Sequence, residues 1–419
     1  MNDSAASMPT SRQGLVGGAL APGLGSIEMV HWPLVRSSEL FELRYGKALV
    51  ASGRRPGSVP VYGTNGQTGS HDSPLFRGPG LILGRKGAGH LGVHWTDNDY
   101  WVIDTAYSLS PRDDVDLKFA YYLIKHVGLN HLKHGTSNPS LTRDAFGAQY
   151  FPLPPVATQG AIATTLSALD DMIDSNRRKI DLLEELGAAI VEQRLHLDAY
   201  GFPEYERGRR LGDVLRVLET GSRPKGGAAP SGSGVVSLGA ESIQSAGVCT
   251  TNVFKHIPEE FAARMKRGHL EEEDVLVYKD GGRPGNFIPH VSAFGYGFPV
   301  EEAAINEHVY RVRSSDGISQ ALLYWLLRSP WMDQEMRKRG TGVAIPGLNS
   351  SNFRDLPLPI LTETDVEVLN DRLSPVLASM LRLGTESGRL AALRNVLLPE
   401  LLTGRIRVPE AELTIDSFA

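Results

Sequence analysis

Two long heptad-like stretches constrain the fold of this 419-residue chain more than any other feature. From Thr158 to about His196, and again over residues 363–404, apolar residues recur in alternating steps of three and four, as in a coiled-coil seam. A helix of about 39 residues would be about 58 Å long at 1.5 Å per residue. We therefore predict two long helices that extend beyond any single small domain. Their seam positions are Leu166, Leu169, Ile173, Ile180 and Leu183 in the first stretch, and Leu373, Met380, Leu390 and Leu397 in the second.

Several residues of the two stretches depart from the apolar pattern, among them Asn176, Gly187 and Pro375. Asn176 is polar and Gly187 has no side chain, although both lie in the first seam. Pro375 lies in the second stretch, where its ring removes a backbone donor and crowds the preceding turn. We expect Pro375 either to kink the second helix or to mark a late start.

The chain also repeats itself at an offset of 205 residues. Lys133–Thr136 matches Lys338–Thr341, and Phe151–Pro154 matches Leu356–Pro359, in the same order. The upstream segments match poorly, which predicts a duplication whose helices and hinges stayed alike while two strand-rich heads diverged. The expected divisions are a disordered leader 1–26, a first head 27–156, a first spacer helix 157–200, a second head 201–361, a second spacer helix 362–408 and a tail 409–419.

Within the heads, short apolar runs broken by turn residues predict strands. Such runs are Val59–Tyr62, Gly80–Leu83 and Tyr100–Ile103. A single helix is predicted in each head, over Leu117–His131 in the first and about Ile318–Arg339 in the second. Strands and helices together indicate an α+β fold for both heads.

Composition limits the functional classes. Apolar residues make up 41 % and charged residues 22 %, as in globular proteins, and no run of about 18 apolar residues predicts a membrane span. The single cysteine, Cys249, cannot form an internal disulfide, which favours the reducing cytoplasm. A protein that held nucleic acid alone on a broad basic surface would usually be basic, yet the net charge is −5. Either nucleic acid is not the ligand, or basic residues are local, or a partner assists.

The motifs of common catalytic sites are absent from the sequence. There is no phosphate-binding G-x-x-x-x-G-K-[ST] loop, no cluster of cysteine and histidine for zinc and no Glu-x-Lys of a nuclease site. The Asn/Asp-Pro-Pro-aromatic loop of an adenine methyltransferase is also missing. Asp116, in the only Asp-x-Lys, is interpreted as the start of a helix. We therefore predict no catalytic residue and no metal site.

Polar, glycine-rich loops occur at matched places in both halves. Arginine and lysine suit phosphates and guanine edges, whereas asparagine and glutamine suit adenine edges. Taken alone, any one such loop is better interpreted as an ordinary solvated turn, so the interpretation as DNA-binding loops depends on their recurrence in both halves. The candidates are Asn65, Gln67, Thr68, Arg85, Lys86, His90, Lys133, Thr136 and Asn138 in the first half, and Arg223, Lys225, Lys279, Arg283, Lys338, Thr341 and Asn349 in the second.

The layout resembles the specificity subunit of a type I DNA restriction-modification system. No single motif is highly specific for this family. The order in which all of the motifs occur over about Trp32–Val408 is specific. The segments that carry the likeness are Val61–Gly66, Gly84–Gly87, Trp101–Ala106, Phe151–Pro155 followed by Gln159, and Leu393–Gly404. The leader before Trp32, Pro375 and the weakly matching second head depart from the family pattern.

The resemblance implies an α+β architecture of two α/β target recognition domains separated by two long antiparallel coiled-coil helices. In that family each head reads half of a split site in double-stranded DNA, the helices dock two methyltransferase subunits, and motor-nuclease subunits join to restrict DNA. The subunit itself is not catalytic, and S-adenosylmethionine is expected in the methyltransferase partner. Two alternatives remain open from the sequence, a stand-alone DNA-modifying enzyme and a coiled-coil adaptor scaffold that does not bind DNA.

Overall fold

The computed structural model resolves the chain into two compact units. Unit 1 comprises residues 1–169 with 392–419, and unit 2 comprises residues 170–391. The residues that the structure describes are 20–25, 30–199, 202–229, 232–250, 254–283, 286–315, 317–342 and 346–416. No helix in this described part of the chain combines the length and the apolar character that a membrane span requires.

Unit 1 is built on a four-stranded antiparallel sheet and a three-stranded mixed sheet. Its strands are β1 (Leu34–Arg36), β2 (Phe41–Tyr45), β3 (Val59–Gly63), β4 (Gly66–His71), β5 (Gly80–Gly84), β6 (Val93–Thr96), β7 (Trp101–Val102), β8 (Ala106–Pro111), β9 (Lys133–His134), β10 (Ser140–Leu141) and β11 (Tyr150–Pro152). The larger sheet has the order β2-β8-β5-β6. The smaller has the order β4-β3-β7, in which β3 pairs antiparallel with β4 and parallel with β7. The predicted strands correspond to β3, β5 and the shorter β7.

The helices of unit 1 cover its sheets and complete its core. They are α1 (Ser37–Leu40), α2 (Leu117–Val127), α3 (Arg143–Gly147), the first turns of α4 (Val156–Glu192) and, later in the chain, α10 (Val408–Asp416). Asp116 caps α2 by accepting from the Phe119 N–H, as the sequence predicted. The helix ends at Gly128, whose φ of 71° favours glycine, so the single helix predicted over Leu117–His131 is four residues too long.

Unit 2 repeats this sheet topology with an unlike sequence. Its strands are β12 (Tyr205–Arg210), β13 (Leu215–Thr220), β14 (Val235–Leu238), β15 (Lys255–Ile257), β16 (Val275–Tyr278), β17 (Gly282–Arg283), β18 (Asn286–Phe287), β19 (His290–Ala293), β20 (Ala303–Ile305), β21 (Val309–Ser314) and β22 (Pro357–Pro359). The orders β13-β21-β16-β19 and β15-β14-β20 match those of unit 1, including one parallel pair in the smaller sheet. The two heads, whose sequences match poorly, therefore share one sheet topology, as the predicted duplication requires.

Equivalent backbone contacts confirm the duplication. The Leu141 N–H donates to the Arg85 carbonyl over 2.8 Å, and the Leu348 N–H donates to the Lys279 carbonyl over 2.7 Å. Tyr107 donates its hydroxyl to the Leu141 carbonyl, as the Tyr310 hydroxyl does to the Leu348 carbonyl. In this region the structural offset is 207 residues rather than 205, because Leu141 corresponds to Leu348.

The helices of unit 2 include a break that the sequence analysis missed. They are the larger part of α4, α5 (Glu259–Arg264), α6 (Gln320–Arg328), α7 (Pro330–Arg339), α8 (Ser350–Arg354) and most of α9 (Glu363–Thr403). The one helix predicted at about Ile318–Arg339 is two helices, because Ser329 caps a new start at Pro330. Proline at the first position of a helix loses no intrahelical bond, so it favours a fresh start.

The two long helices end close to where the heptads predicted. Thr362 caps α9 by accepting from the Asp365 N–H, and the helix continues past Pro375, so the proline does not mark a late start. Seam residues Ile173 and Leu183 are half-buried. The other predicted seam residues, Leu166, Leu169, Ile180, Leu373, Met380, Leu390 and Leu397, are buried.

Within each unit, the segments of the two long helices run antiparallel. In unit 2, Arg194, just after α4, pairs with Asp365 in the first turn of α9 at 3.3 Å. Ile180, earlier in α4, and Met380, later in α9, both lie against Gly247. In unit 1, Ile162 from the start of α4 and Leu401 from the end of α9 line one cavity.

Part of the predicted leader is packed. Residues 1–19 and 26 lie outside the described residues, but Leu20 bridges to Tyr150, and Ala21 and Leu24 are buried. His126 lies 3.1 Å from the Gly23 carbonyl. The expectation of a disordered leader is therefore wrong for residues 20–25, whose apolar side chains contribute to the core of unit 1.

Candidate nucleic-acid interface

Four loops of unit 1 meet at one end of the larger sheet. They are residues 63–68, 84–92, 103–105 and 130–141, and we call this region the unit-1 surface. The Thr64 hydroxyl donates to the carbonyls of Lys86 and Thr105 at 2.7 and 2.8 Å. The Gly87 N–H donates to the Pro139 carbonyl. Loops that are far apart in the sequence are thereby joined into one surface.

Two glycines allow these loops to approach each other. A Cβ added at Gly84 would lie 2.7 Å from the Thr64 carbonyl oxygen, and one at Gly92 would lie 2.9 Å from the same oxygen. In unit 2 the corresponding positions carry Tyr278 and His290, whose rings stack with centroids 6.1 Å apart. The unit-1 surface is therefore more closely packed at the backbone, whereas unit 2 fills the space with rings.

Most predicted cations of the unit-1 surface bind carbonyl oxygens or rings. Arg85 donates to the Asp104 carbonyl at 2.8 Å, and Lys133 donates to the carbonyls of Ala88 and Gly89. Lys86 lies 3.6 Å from the Asp104 carboxylate. Binding to neutral oxygens leaves most of the positive charge of this surface uncompensated.

The polar residues predicted in unit 1 differ in exposure. Asn65, Gln67, Thr136 and Asn138 are exposed at the loop tips. Thr68 is also exposed, but its hydroxyl donates to the Val61 carbonyl, so it stabilises the hairpin.

Two histidines at or beside the unit-1 surface have different surroundings. The exposed His90 ring lies within hydrogen-bond distance of the Asn130 amide. Burial lowers the pKa of nearby His94 below its ordinary value, so the neutral form of this ring dominates at neutral pH.

The corresponding surface of unit 2 is formed by residues 221–225, 279–283, 286–287, 306–308, 341–342 and 346–349, which we call the unit-2 surface. The Gly281 N–H donates to the Pro346 carbonyl, and the Gly221 N–H donates to the Asn306 carbonyl. Lys279 occupies the backbone position of Arg85, which confirms the predicted correspondence between these two loops.

Two of the four arginine and lysine side chains of the unit-2 surface are paired with carboxylates. Lys279 binds Asp280 at 2.5 Å, and its side chain is only 18 % exposed. Arg223 pairs with Glu307. Asp280 itself occupies the bridge position held by Lys86 in unit 1, so the charge there is reversed. Arg283, on the β17–β18 hairpin, and Lys225 are exposed.

The remaining unit-2 candidates have varied surroundings. Lys338, on α7, pairs with Glu335 at 2.8 Å. Thr341 is exposed and bridges to Gly347. Asn349 caps α8 by accepting from the Asn352 N–H at 2.8 Å, so its side-chain oxygen already has a structural role.

Two residues beside Arg85 were not among the candidates predicted from the sequence. Tyr45, at the end of β2, is 50 % exposed, and the Arg85 guanidinium lies 4.9 Å from its ring centroid. The exposed Arg143, at the start of α3, lies 4.2 Å from the same ring. An aromatic residue at the end of a strand and an arginine after a helix cap were the only signals in the sequence.

Chemically, this arrangement offers hydrogen-bond donors, acceptors and positive charge. Among the described residues, no group of three or more histidine, cysteine or carboxylate side chains is placed to hold a metal ion. Burial raises the pKa of the Cys249 thiol to about 12, so this thiol is protonated at neutral pH. The unit-1 and unit-2 surfaces therefore suit binding to a polar, anionic ligand.

Comparisons with known proteins agree with this interpretation. Residues 29–185 match the family described as "Type I restriction modification DNA specificity domain". The Type I restriction enzyme MjaIX specificity subunit of Methanocaldococcus jannaschii is 21 % identical over 358 residues, which cover 80 % of this chain and 79 % of that protein. The MjaVIII specificity subunit of the same organism is 21 % identical over 306 residues, covering 70 % and 71 % of the two chains.

A solved structure supports the fold over nearly the whole chain. The type I restriction-modification S subunit from M. genitalium superposes with a TM-score of 0.57 and 16 % identity, covering 91 % of this chain and 99 % of that one. At this identity the likeness concerns the fold alone. It confirms the predicted α+β architecture with an internal duplication.

Proposed function

We propose that this chain is a type I restriction-modification specificity subunit whose two units read the two halves of a split DNA site. The unit-1 surface would bind one half-site, and the unit-2 surface the other. The family match covers only the first head and part of α4, so this role for unit 2 rests on its shared topology with unit 1.

The observation that carries the proposal is that the two units share one backbone scaffold but present different side chains on its loops. Both units place an equivalent loop at the same backbone position, yet Arg85 and Lys86 in one become Lys279 and Asp280 in the other. Base edges are distinguished by donor and acceptor patterns, so a change of side chains on a fixed backbone changes the sequence read. A shared scaffold with different loops suits two half-sites of different sequence.

The long helices would dock two methyltransferase subunits. Leu182 and Leu186 of α4 are 64 % and 47 % exposed, and Val396 of α9 is 65 % exposed. Large apolar side chains in water favour burial against a partner. The docked subunits would bring S-adenosylmethionine and help to hold the duplex, which reconciles DNA binding with a net charge of −5. Motor-nuclease subunits would join the same complex for restriction.

On this proposal the chain recognises DNA but supplies no catalytic group. The complex would act in the cytoplasm, in keeping with the single, unpaired Cys249. A chain that methylated DNA without a partner would instead be a stand-alone enzyme.

The test is the methylation motif of the assembled complex. The chain is co-expressed with the methyltransferase subunits from its own locus, and methylated sites are mapped by sequencing. We expect a split motif, with two short defined sequences around an unread gap. Asn65→Ala with Gln67→Ala in unit 1 should relax one half of the motif, and Arg283→Ala in unit 2 should relax the other.

Arg209→Ala is the matched control, because Arg209 is a surface arginine paired with Glu206, outside both surfaces. It should leave the motif unchanged. A continuous motif, or relaxation of both halves by the unit-1 variant, would contradict the assignment of one half-site to each unit. Methylation of DNA by the purified chain alone would contradict its non-catalytic role.

A further inference from the structure

The guanidinium of an exposed arginine of unit 1 lies over the ring of a half-exposed tyrosine. The Arg143 guanidinium carbon is 4.2 Å from the centroid of the Tyr45 ring. No carboxylate among the described residues forms an ion pair with Arg143. Its charge and its N–H groups therefore remain available to a ligand.

Stacking on a ring prepares an arginine for recognition. The guanidinium presents five N–H donors in a planar fork, and contact between its face and an aromatic ring leaves the edge with these donors uncovered. A side chain that is already restricted loses less conformational entropy when it binds. Arg143 thus suits a planar acceptor pair better than a diffuse anionic surface.

Arg85, whose guanidinium also lies over Tyr45, makes more contacts within the protein than Arg143 does. One of its N–H groups donates to the Asp104 carbonyl, and its guanidinium also lies 5.5 Å from the Tyr107 ring. Arg85 is half-buried, whereas Arg143 is exposed. Of these two arginines beside the unit-1 surface, Arg143 is therefore the more accessible to a ligand.

Unit 2 lacks this arrangement although its backbone is equivalent. Tyr45 pairs with Tyr107 in unit 1, and Thr220 pairs with Tyr310 in unit 2, so Thr220 takes the place of Tyr45. Arg143 follows the helix cap Thr142, and Ser350 follows the equivalent cap Asn349. The arginine over a tyrosine is therefore one of the differences between two surfaces built on an equivalent backbone. Such differences are where different half-sites would be distinguished.

We propose that Arg143, positioned by Tyr45, is a specificity-determining residue that binds the O6 and N7 edge of a guanine in the half-site of unit 1. The inference rests on the proposed function, because it needs the unit-1 surface to face the DNA major groove. A guanidinium fork matches these two acceptors, and this pairing is the commonest specific contact between protein side chains and bases.

The test compares Arg143→Lys with Arg143→Ala in the complete complex. Wild type is first mapped for its methylation motif, and affinity is then measured for that site and for sites altered at one base pair. Arg143→Lys keeps the charge but loses the fork. We expect it to reduce discrimination at a single G·C pair by about 5- to 150-fold while the slope of affinity against salt stays unchanged.

Tyr45 supplies a second readout that does not depend on charge. Tyr45→Phe keeps the ring and should retain the wild-type motif. Tyr45→Leu removes the aromatic platform and should loosen the same G·C pair. Ser350→Ala, at the equivalent position of unit 2, is the control and should change neither half-site.

Different outcomes separate failure of this inference from failure of the proposed function. If the wild-type complex yields a split motif but Arg143→Lys retains full discrimination, Arg143 does not read a base. If Arg143→Ala weakens all sites equally and flattens the salt dependence, the residue contacts phosphate and the inference is overturned. If the wild-type complex shows no split motif, the proposed function itself fails.

Discussion

Units 1 and 2 share a sheet but stabilise it with different chemistry. At one position of the central strand pair, unit 1 has Ser108, whose hydroxyl is 2.7 Å from that of Tyr100. Unit 2 has Arg311 at the same register position, where its guanidinium binds three carboxylates, including the fully buried Asp274 at 2.6 Å. The strand order therefore does not depend on a particular buried polar pair. It depends on the alternation of apolar residues around such a pair.

The two surfaces differ in a parallel way. In unit 1, the Arg85 guanidinium lies on rings and binds a carbonyl, whereas in unit 2 the equivalent Lys279 is paired with Asp280. An ion pair on the surface lowers the net charge that a phosphate experiences. We therefore expect unit 1 to contribute more of the salt-dependent affinity for DNA, and unit 2 to rely more on neutral polar contacts or on a partner.

The largest expected effect follows from breaking the buried network of unit 2. Asp274→Ala removes the carboxylate that binds Arg311 at 2.6 Å and Arg313 at 2.9 Å. Two cations would then lose a partner at a site with little solvent, at an expected cost of about 3–5 kcal/mol. Hydrogen exchange should show faster opening of β16 and β21, while β5 and β8 of unit 1 keep their protection.

Ser108→Ala in unit 1 is the counterpart of that variant. It leaves the Tyr100 hydroxyl without its 2.7 Å partner and should cost about 1–3 kcal/mol. Comparable losses from Asp274→Ala and Ser108→Ala would show that the charged network adds no stability beyond one neutral hydrogen bond.

A second comparison concerns two glycines of α4. A Cβ at Gly187, in unit 2, would lie 2.1 Å from the buried Trp325 ring, whereas a Cβ at Gly160, in unit 1, would meet nothing within 4 Å. Gly187→Ala should therefore destabilise the protein by about 1–3 kcal/mol through overpacking. Gly160→Ala should stabilise it by up to about 1 kcal/mol, because alanine favours a helix. Calorimetric unfolding of both variants checks the signs.

The cause of the Gly187 effect can be isolated with a double variant. In a Trp325→Leu background the steric conflict is removed, so adding Gly187→Ala should cost much less than it does in the wild type. An equal cost in both backgrounds would mean that the tryptophan is not what limits this position.

Local periodicity explains what could be predicted from the sequence. The heptads predicted the bounds of the two long helices to within a few residues of those of α4 and α9. This was possible because a helical seam is a pattern of apolar residues three and four positions apart, which the local sequence shows directly. Gly187 was assigned to the seam but lies against Trp325, because the period does not reveal which neighbour a position contacts. The break before Pro330 was missed, although serine followed by proline is a signal for a helix start.

Long-range arrangement explains what could not be predicted. The equivalence of the two sheets is hidden because substitutions such as Ser108 for Arg311 preserve the strand while removing sequence similarity. The contact of Tyr45 with Arg143 joins residues almost a hundred positions apart, which no local pattern encodes. The loops that compose each surface could be proposed from the repeat, but their partners required the fold.

A third comparison uses the equivalent cations Arg85 and Lys279. Arg85→Ala should weaken DNA binding by the complete complex by about 1–3 kcal/mol, whereas Lys279→Ala should change it by less than about 0.5 kcal/mol, because the lysine is already paired. Affinity is measured over a range of salt concentrations. A base contact by Arg85 would reduce discrimination at one base pair, and a phosphate contact would flatten the salt slope.

Either of those Arg85 results would place the residue in the interface. Unchanged affinity and unchanged salt dependence would remove it. A larger loss from Lys279→Ala than from Arg85→Ala would reverse the assignment of the more electrostatic surface to unit 1.

The smallest expected effect concerns the two helix caps. Thr142 accepts from the Ala145 N–H at 3.1 Å in unit 1, and Asn349 accepts from the Asn352 N–H at 2.8 Å in unit 2. Alanine at either position should cost about 1 kcal/mol of stability, measured by thermal unfolding. Asn349→Asp should restore the cap, because aspartate and asparagine cap helices about equally well.

The Asn349→Asp variant also tests the role in DNA binding that the sequence predicted for Asn349, because it adds a negative charge without removing the cap. If the side chain only caps α8 and lies away from the duplex, Asn349→Asp will bind DNA like the wild type. Weakened binding by this stable variant would instead place Asn349 beside the phosphates or bases of the second half-site.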